Sequence, residues 1–172
     1  MAVSALEPKR RILVVDDDRN CTHLIKVLLE KTGWYVVLEE NDPTKAHQHV
    51  RDFRPDVILL DVEMPLRDGG DVAAQIGTDP ELQRTPIIFL TGLITKAEVS
   101  AGLRVQGRPT LAKPIGIPEL IEAIQTNLPP HTGFQTAPRA VLDEISHPNL
   151  PVHRGLQEIE STPRWSLRGR TS

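Results

Sequence analysis

Aromatic side chains are scarce in this chain: two Trp, one Tyr and three Phe among 172 residues. Its interior must therefore be built from Leu, Ile, Val and Ala. The single cysteine, Cys21, excludes an internal disulfide and fits a reducing compartment. No stretch approaches the roughly 18 consecutive apolar residues that a membrane-spanning helix needs, and the opening MAVSALEPKRR lacks the apolar centre of a secretion signal. Charge of one sign is also missing. Twenty Lys plus Arg against 23 Asp plus Glu leave a net charge of −3, which gives no basis for a dominant nucleic-acid or anionic-membrane surface. The expected setting is the cytoplasm.

What is present falls into two parts. At about 150 residues per domain, the length accommodates one domain and an additional segment. Proline marks the division: nine lie in residues 1–128, and six in the last 44, beginning with Pro129-Pro130. The segment 129–172 has few β-branched or aromatic residues and no sustained period beyond a short helical pattern from Arg139 to Ile145. With little apolar surface to offset its ordering entropy, it is expected to be largely disordered. Residues 1–10 read as an N-terminal extension and 11–128 as the folded domain.

Within that domain, Ile12–Val15, Val57–Leu60 and Ile87–Leu90 are continuous aliphatic runs bounded by polar residues. Such runs suit strands covered on both faces, as in a parallel sheet. Tyr35–Leu38 and Thr110–Ala112 are weaker strand signals. Between them lie helical patterns. The first carries a partial apolar face of Leu24, Val27, Leu28 and Lys31. The second opens at Pro43 and ends before Pro55, and the others run over Asp71–Ile76, Thr95–Ala101 and Pro118–Leu128. Strict alternation of five strands and five helices predicts an α/β fold with a doubly wound five-stranded parallel sheet.

Chemistry gathers where the aliphatic runs stop. Asp16, Asp17 and Asp18 follow the first; Asp61, Glu63, Met64 and Pro65 follow Val57–Leu60; Thr91 follows Ile87–Leu90; and Lys113-Pro114 follows Leu111-Ala112. In a parallel α/β sheet all of these fall at the carboxyl edge, where ligands bind at the switch in strand order. Two carboxylates about 4 Å apart repel by about 4 kcal/mol at an effective dielectric near 20, so a cluster of three invites a cation. The candidate donors are all oxygens, with no paired Cys and no i,i+4 His, which favours Mg²⁺ over Zn²⁺. An ammonium, a hydroxyl and a metal site around one further carboxylate make a phosphoryl-binding set. Phosphoryl transfer needs chiefly in-line positioning and charge neutralisation, and a carboxylate can serve as the acceptor.

In these motifs (ILVVDDD at 12–18, LLDVEMPLRDG at 60–69, FLTG at 89–92 and LAKP at 111–114) and their spacing, the body resembles the receiver domain of two-component response regulators. The resemblance implies a flavodoxin-like (βα)5 fold with strand order 2-1-3-4-5. It implies Asp61 as phosphoacceptor, with Asp16, Asp17, Asp61 and the backbone carbonyl of Glu63 holding Mg²⁺, or Mn²⁺ in its place. Thr91 and Lys113 become the phosphoryl-binding and switch residues, with Pro65, Gly69 and Pro114 shaping the loops; the bond before Pro114 is a candidate cis peptide. The implied partners are a sensor histidine kinase or phosphotransfer protein, which supplies the phosphoryl group, and a downstream protein target. No basic recognition helix follows residue 128, so the expectation is a stand-alone receiver with no direct nucleic-acid contact and no enzymatic turnover beyond its own phosphorylation and dephosphorylation.

Two alternatives stay open from the residues alone. A haloacid-dehalogenase-type phosphohydrolase also uses a strand-end Asp-x-Asp, here Asp16 and Asp18, followed by a Thr and a Lys. A receiver-like docking module that is never phosphorylated is the other. One departure from the family pattern concerns the switch: the Tyr or Phe often found three residues before the lysine is replaced by Thr110. Cys21, near the acids, is expected to be buried with a raised thiol pKa. His47 and His49, two apart and on different helix faces, are read as ordinary surface residues. Trp165 with Arg164, Arg168 and Arg170 is read as part of a disordered terminus.

Overall fold

The computed structural model describes residues 8–128; residues 129–172, with the helical pattern at 139–145 and the Trp165 segment, lie outside it, as do residues 1–7 of the extension. Five strands form one parallel sheet: β1 (Arg10–Val15), β2 (Tyr35–Glu40), β3 (Val57–Asp61), β4 (Ile87–Thr91) and β5 (Thr110–Ala112). Their spatial order is β2-β1-β3-β4-β5, the order that the family resemblance implies. Five helices connect and follow the strands: α1 (Arg19–Lys31), α2 (Ala46–Phe53, preceded by a 3₁₀ turn at Pro43–Lys45), α3 (Gly69–Thr78), α4 (Lys96–Ser100) and α5 (Ile117–Asn127).

Residues of β1, β3 and β4 alternate between two apolar layers. Ile12, Val14, Val57, Leu59, Ile88 and Leu90 pack with Ile25 and Leu29 of α1 and with Leu120, Ile121 and Ile124 of α5. Leu13, Val15, Ile58, Leu60, Ile87 and Phe89 pack with Ala46 and Val50 of α2 and with Val72, Ala73 and Ile76 of α3. A strand apolar at every position is what two such layers require, and this is why the three aliphatic runs were readable.

One helix face differs from expectation. In α1 the buried residues are Thr22, Ile25 and Leu29, whereas Leu24 and Val27 are exposed. The inward stripe runs through a threonine, whose methyl packs while its hydroxyl finds partners, so a count of purely aliphatic positions selects the wrong face. Helix α4 buries no residue at all. It is held instead by a capping box in which the Thr95 side chain and the Glu98 backbone and side chain exchange hydrogen bonds.

His47 and His49 also depart from expectation. Both are half-buried, His47 against Asp79 and His49 against Glu40. Asp79 is 32 residues from His47, and Glu40 sits on the strand before α2, so no local pattern announces either pairing.

Candidate functional site at the carboxyl edge of the sheet

The four motifs meet because parallel strands end side by side. Asp16 follows β1 directly, Asp61 is the last residue of β3, Thr91 is the last of β4, and Lys113 follows β5. Asp16 and Asp61 are buried, while Asp17 is exposed. The Lys113 ammonium sits between the two buried acids and donates to Asp16 Oδ2 and to Asp61 Oδ1, each at 2.7 Å. One carboxylate oxygen each of Asp16, Asp17 and Asp61 lies within 4.8 Å of the others.

Backbone geometry holds each group in place. The Asp16 N–H donates to the Glu40 carbonyl at 3.1 Å, extending the β1–β2 ladder by one residue. Its Oδ1 accepts from the Asp18 N–H at 2.9 Å. Asp18 has a different role: it is the N-cap of α1, its Oδ1 accepting from Asn20 N–H at 2.9 Å, and its carboxylate is not among the three gathered here. A capping role accounts for Asp18 without the phosphohydrolase alternative. The Lys113 N–H donates to the Thr91 carbonyl at 2.7 Å, and the Lys113-Pro114 peptide is cis.

The loop after Asp61 is tightly folded. Gly69 opens α3 so close beneath the acceptor strand that a Cβ there would stand 2.1 Å from the Asp61 carbonyl oxygen. No other residue fits without moving backbone. Glu63 is exposed in this loop, and its carboxylate faces Gly92, where a Cβ would lie 3.6 Å from Glu63 Oε2. Pro65 is exposed in the same turn, which Leu66 completes with φ +72°. Thr91 is fully buried, and its hydroxyl oxygen accepts from the Leu93 N–H at 3.0 Å.

The electrostatics follow from three acids and one lysine. Burial, reinforced by Asp16 and Asp17, raises the Asp61 carboxyl pKa above its ordinary value even though Lys113 pulls it down. Burial works against the charge on Lys113, but its hydrogen bonds to Asp16 and Asp61 outweigh that, so the ammonium is held above its usual pKa. The half-buried Cys21 thiol is pushed up to about 12, first by desolvation and then by Asp16, and stays protonated at neutral pH.

Two supporting residues had not been singled out in the sequence. The Asn41 side-chain amide donates to the Asp16 carbonyl at 2.7 Å, and the Glu40 side chain accepts from the Asp42 N–H at 2.6 Å. A signal existed: both sit at the end of β2, which the expected strand order places beside β1. Thr110, in the place of the family's aromatic, is buried; its hydroxyl accepts from Val105 N–H at 3.1 Å and lies 3.0 Å from the Arg108 carbonyl.

Residues 12–125 match the family model for the response regulator receiver domain. This chain belongs to that family. Among curated proteins it is 30% identical over 156 residues to the DNA-binding response regulator MtrA of Mycobacterium tuberculosis, the match covering 90% of this chain and 67% of that one. Among solved structures it resembles the chemotaxis protein CheY4 of Vibrio cholerae, with 26% identity and TM-score 0.61 over 70% of this chain and all of that one. It also resembles the receiver domain of the sensor histidine kinase PA1611 from Pseudomonas aeruginosa, with 28% identity and TM-score 0.58 over 69% and 97% of the two chains; that structure holds a magnesium ion in its active-site cleft. The receiver is thus a two-component signalling domain with the flavodoxin-like fold, and the Asp16, Asp17 and Asp61 cluster fits a phosphoacceptor and Mg²⁺ site. Among the described residues no helix is long and apolar enough to cross a membrane.

Proposed function

We propose that this receiver is a phosphorylatable switch in which Asp61 accepts a phosphoryl group from a phosphohistidine on a sensor kinase or phosphotransfer protein. The observation that carries this reading is the bridging of Asp16 and Asp61 by a single ammonium, which leaves a buried acceptor carboxylate beside a cation that can turn to an incoming phosphoryl oxygen. In the transfer, an Asp61 oxygen forms the new O–P bond as the N–P bond breaks and the imidazole leaves. Lys113, no longer paired with an Asp61 carboxylate once that group is an acyl phosphate, neutralises a phosphoryl oxygen. Thr91 gives up its contact with Leu93 and turns its hydroxyl to another such oxygen, drawing the following loop inward.

Asp16, Asp17, Asp61 and the Glu63 carbonyl would hold Mg²⁺, or Mn²⁺ in its place. The three carboxylates fit, being oxygens gathered at the ends of two strands. The ion supplies neutralisation of charge on the equatorial oxygens. Pro65, Gly69 and Pro114 set the loops that bring these groups together. We place the receiver at 11–128, with its output in contacts with a downstream protein target and its setting in the cytoplasm.

Intact-mass measurement after incubation with a small acyl phosphate tests the proposal. The expected result is one phosphoryl adduct that requires Mg²⁺ and disappears in Asp61→Asn. An adduct of equal yield in Asp61→Asn refutes it.

A further inference from the structure

All four polar groups of Asp16 are engaged, and three of the partners are main-chain groups or Lys113. The fourth is the Asn41 side chain on the Asp16 carbonyl, 2.7 Å away. That carbonyl belongs to the peptide unit joining Asp16 to Asp17, and because the unit is planar, fixing its oxygen fixes where the Asp17 backbone begins. This matters most for Asp17. Its exposed carboxylate takes part in no hydrogen bond or ion pair among the described residues, so its direction depends on the backbone beneath it. Asp17 and Asn41 line the same groove at the end of β2.

The same Asn41 nitrogen lies 3.1 Å from the hydroxyl of Thr22, a fully buried residue of α1. Its two protons can therefore serve two acceptors, one before the β1–α1 loop turns and one within the first turn of the helix. Thr22 is in turn anchored, its hydroxyl lying 3.1 Å from the Arg19 carbonyl and 3.2 Å from Glu39 Oε2. The end of β2 is thus clamped across the loop that carries Asp16 and Asp17.

We propose that Asn41, braced by Thr22, is a positioning residue for the divalent cation: it touches neither the ion nor the phosphoryl group but orients Asp17 toward Asp16 and Asp61. This rests on the metal reading given above. Groups that orient metal ligands typically change affinity when removed, although they are not ligands themselves.

The decisive variant is Asn41→Asp, which keeps size and shape, removes both donated hydrogen bonds and adds an anion beside the acidic cluster. Charge alone would tighten Mg²⁺ binding; loss of the clamp weakens it. Calorimetric titration of the metal-free full chain with MgCl₂ is expected to show binding weakened by about tenfold. Thr22→Val is expected to weaken it by about threefold and Thr22→Ser to restore it. Equal or tighter binding by a cooperatively folding Asn41→Asp overturns the proposal. If that variant does not fold, the threonine pair decides, and equal affinities for Thr22→Val and Thr22→Ser overturn it. Asp17→Asn separates the two readings: if Mg²⁺ affinity is unchanged there, the metal site itself is wrong, whatever Asn41 does.

Discussion

Two carboxylates of this domain expose little surface, Asp61 at 3% and Asp79 at 9%, but Asp61 is the more deeply enclosed and their surroundings push them in opposite directions. Asp79 follows α3 and has more partners than charge. Arg51 lies at 2.5 Å and His47 at 3.0 Å from its Oδ2, while its Oδ1 accepts from the Glu81 N–H at 3.0 Å. The Arg51 hydrogen bond, followed by that from the Glu81 backbone, holds its carboxyl below the ordinary range. Asp61 has Lys113, shares it with Asp16 and has Asp17 nearby, and its carboxyl is pushed up by burial and by those acids. One acid is satisfied and ties α2 to the end of α3. The other is under-compensated, and an under-compensated buried acid at a sheet edge is poised for an incoming cation and phosphoryl group.

The largest expected effect comes from removing the shared cation. Lys113→Met leaves Asp16 and Asp61 buried side by side without compensation. In chelator it is expected to lose about 3 kcal/mol in urea denaturation, with Mg²⁺ restoring part of the loss. Equal stability of mutant and wild type in chelator would break the contrast.

The pH dependence of the two acids should differ in sign. A lowered pKa adds stability that is complete above the unfolded value and is lost as pH falls through the folded one. Asp79→Asn is therefore expected to melt lower than wild type near pH 7, with the gap closing as the pH drops below about 4. A raised pKa works the other way: the charged Asp61 costs stability once pH exceeds the unfolded value. In chelator, Asp61→Asn is expected to melt at or above wild type near pH 7, with that advantage fading in acid. Parallel melting curves across pH for both variants check the signs.

Arg51→Met is expected to give the smallest loss of stability in urea denaturation, because Asp79 keeps His47 and the Glu81 N–H and the arginine is half exposed. A loss as large as that of Lys113→Met would mean that the two acids are held alike.

The same contrast explains what could be read from the amino-acid order. Strands covered on both faces leave aliphatic runs, and the residues that end those runs are forced to a common edge; Asp16, Asp61, Thr91 and Lys113 were therefore legible at the expected strand order. Partners brought together by helix packing leave no such trace. Asp79 lies 32 residues from His47 and 28 from Arg51, and the pairing of His49 with Glu40 depends on how α2 lies beside β2. Asn41 is silent in the sequence for another reason: it contributes through side-chain hydrogen bonds to the Asp16 backbone and Thr22, which no charge or hydropathy pattern marks. The inward face of α1 escapes an aliphatic count because Thr22, polar by type, is buried.

The most direct measurement is peptide mapping of the full chain after reaction with a small acyl phosphate and Mg²⁺, locating the phosphoryl group by mass. The account predicts it on the peptide containing Asp61 and absent from the one containing Asp16 and Asp17. A phosphoryl group on the Asp16 peptide, with Asp61 unmodified, would contradict it.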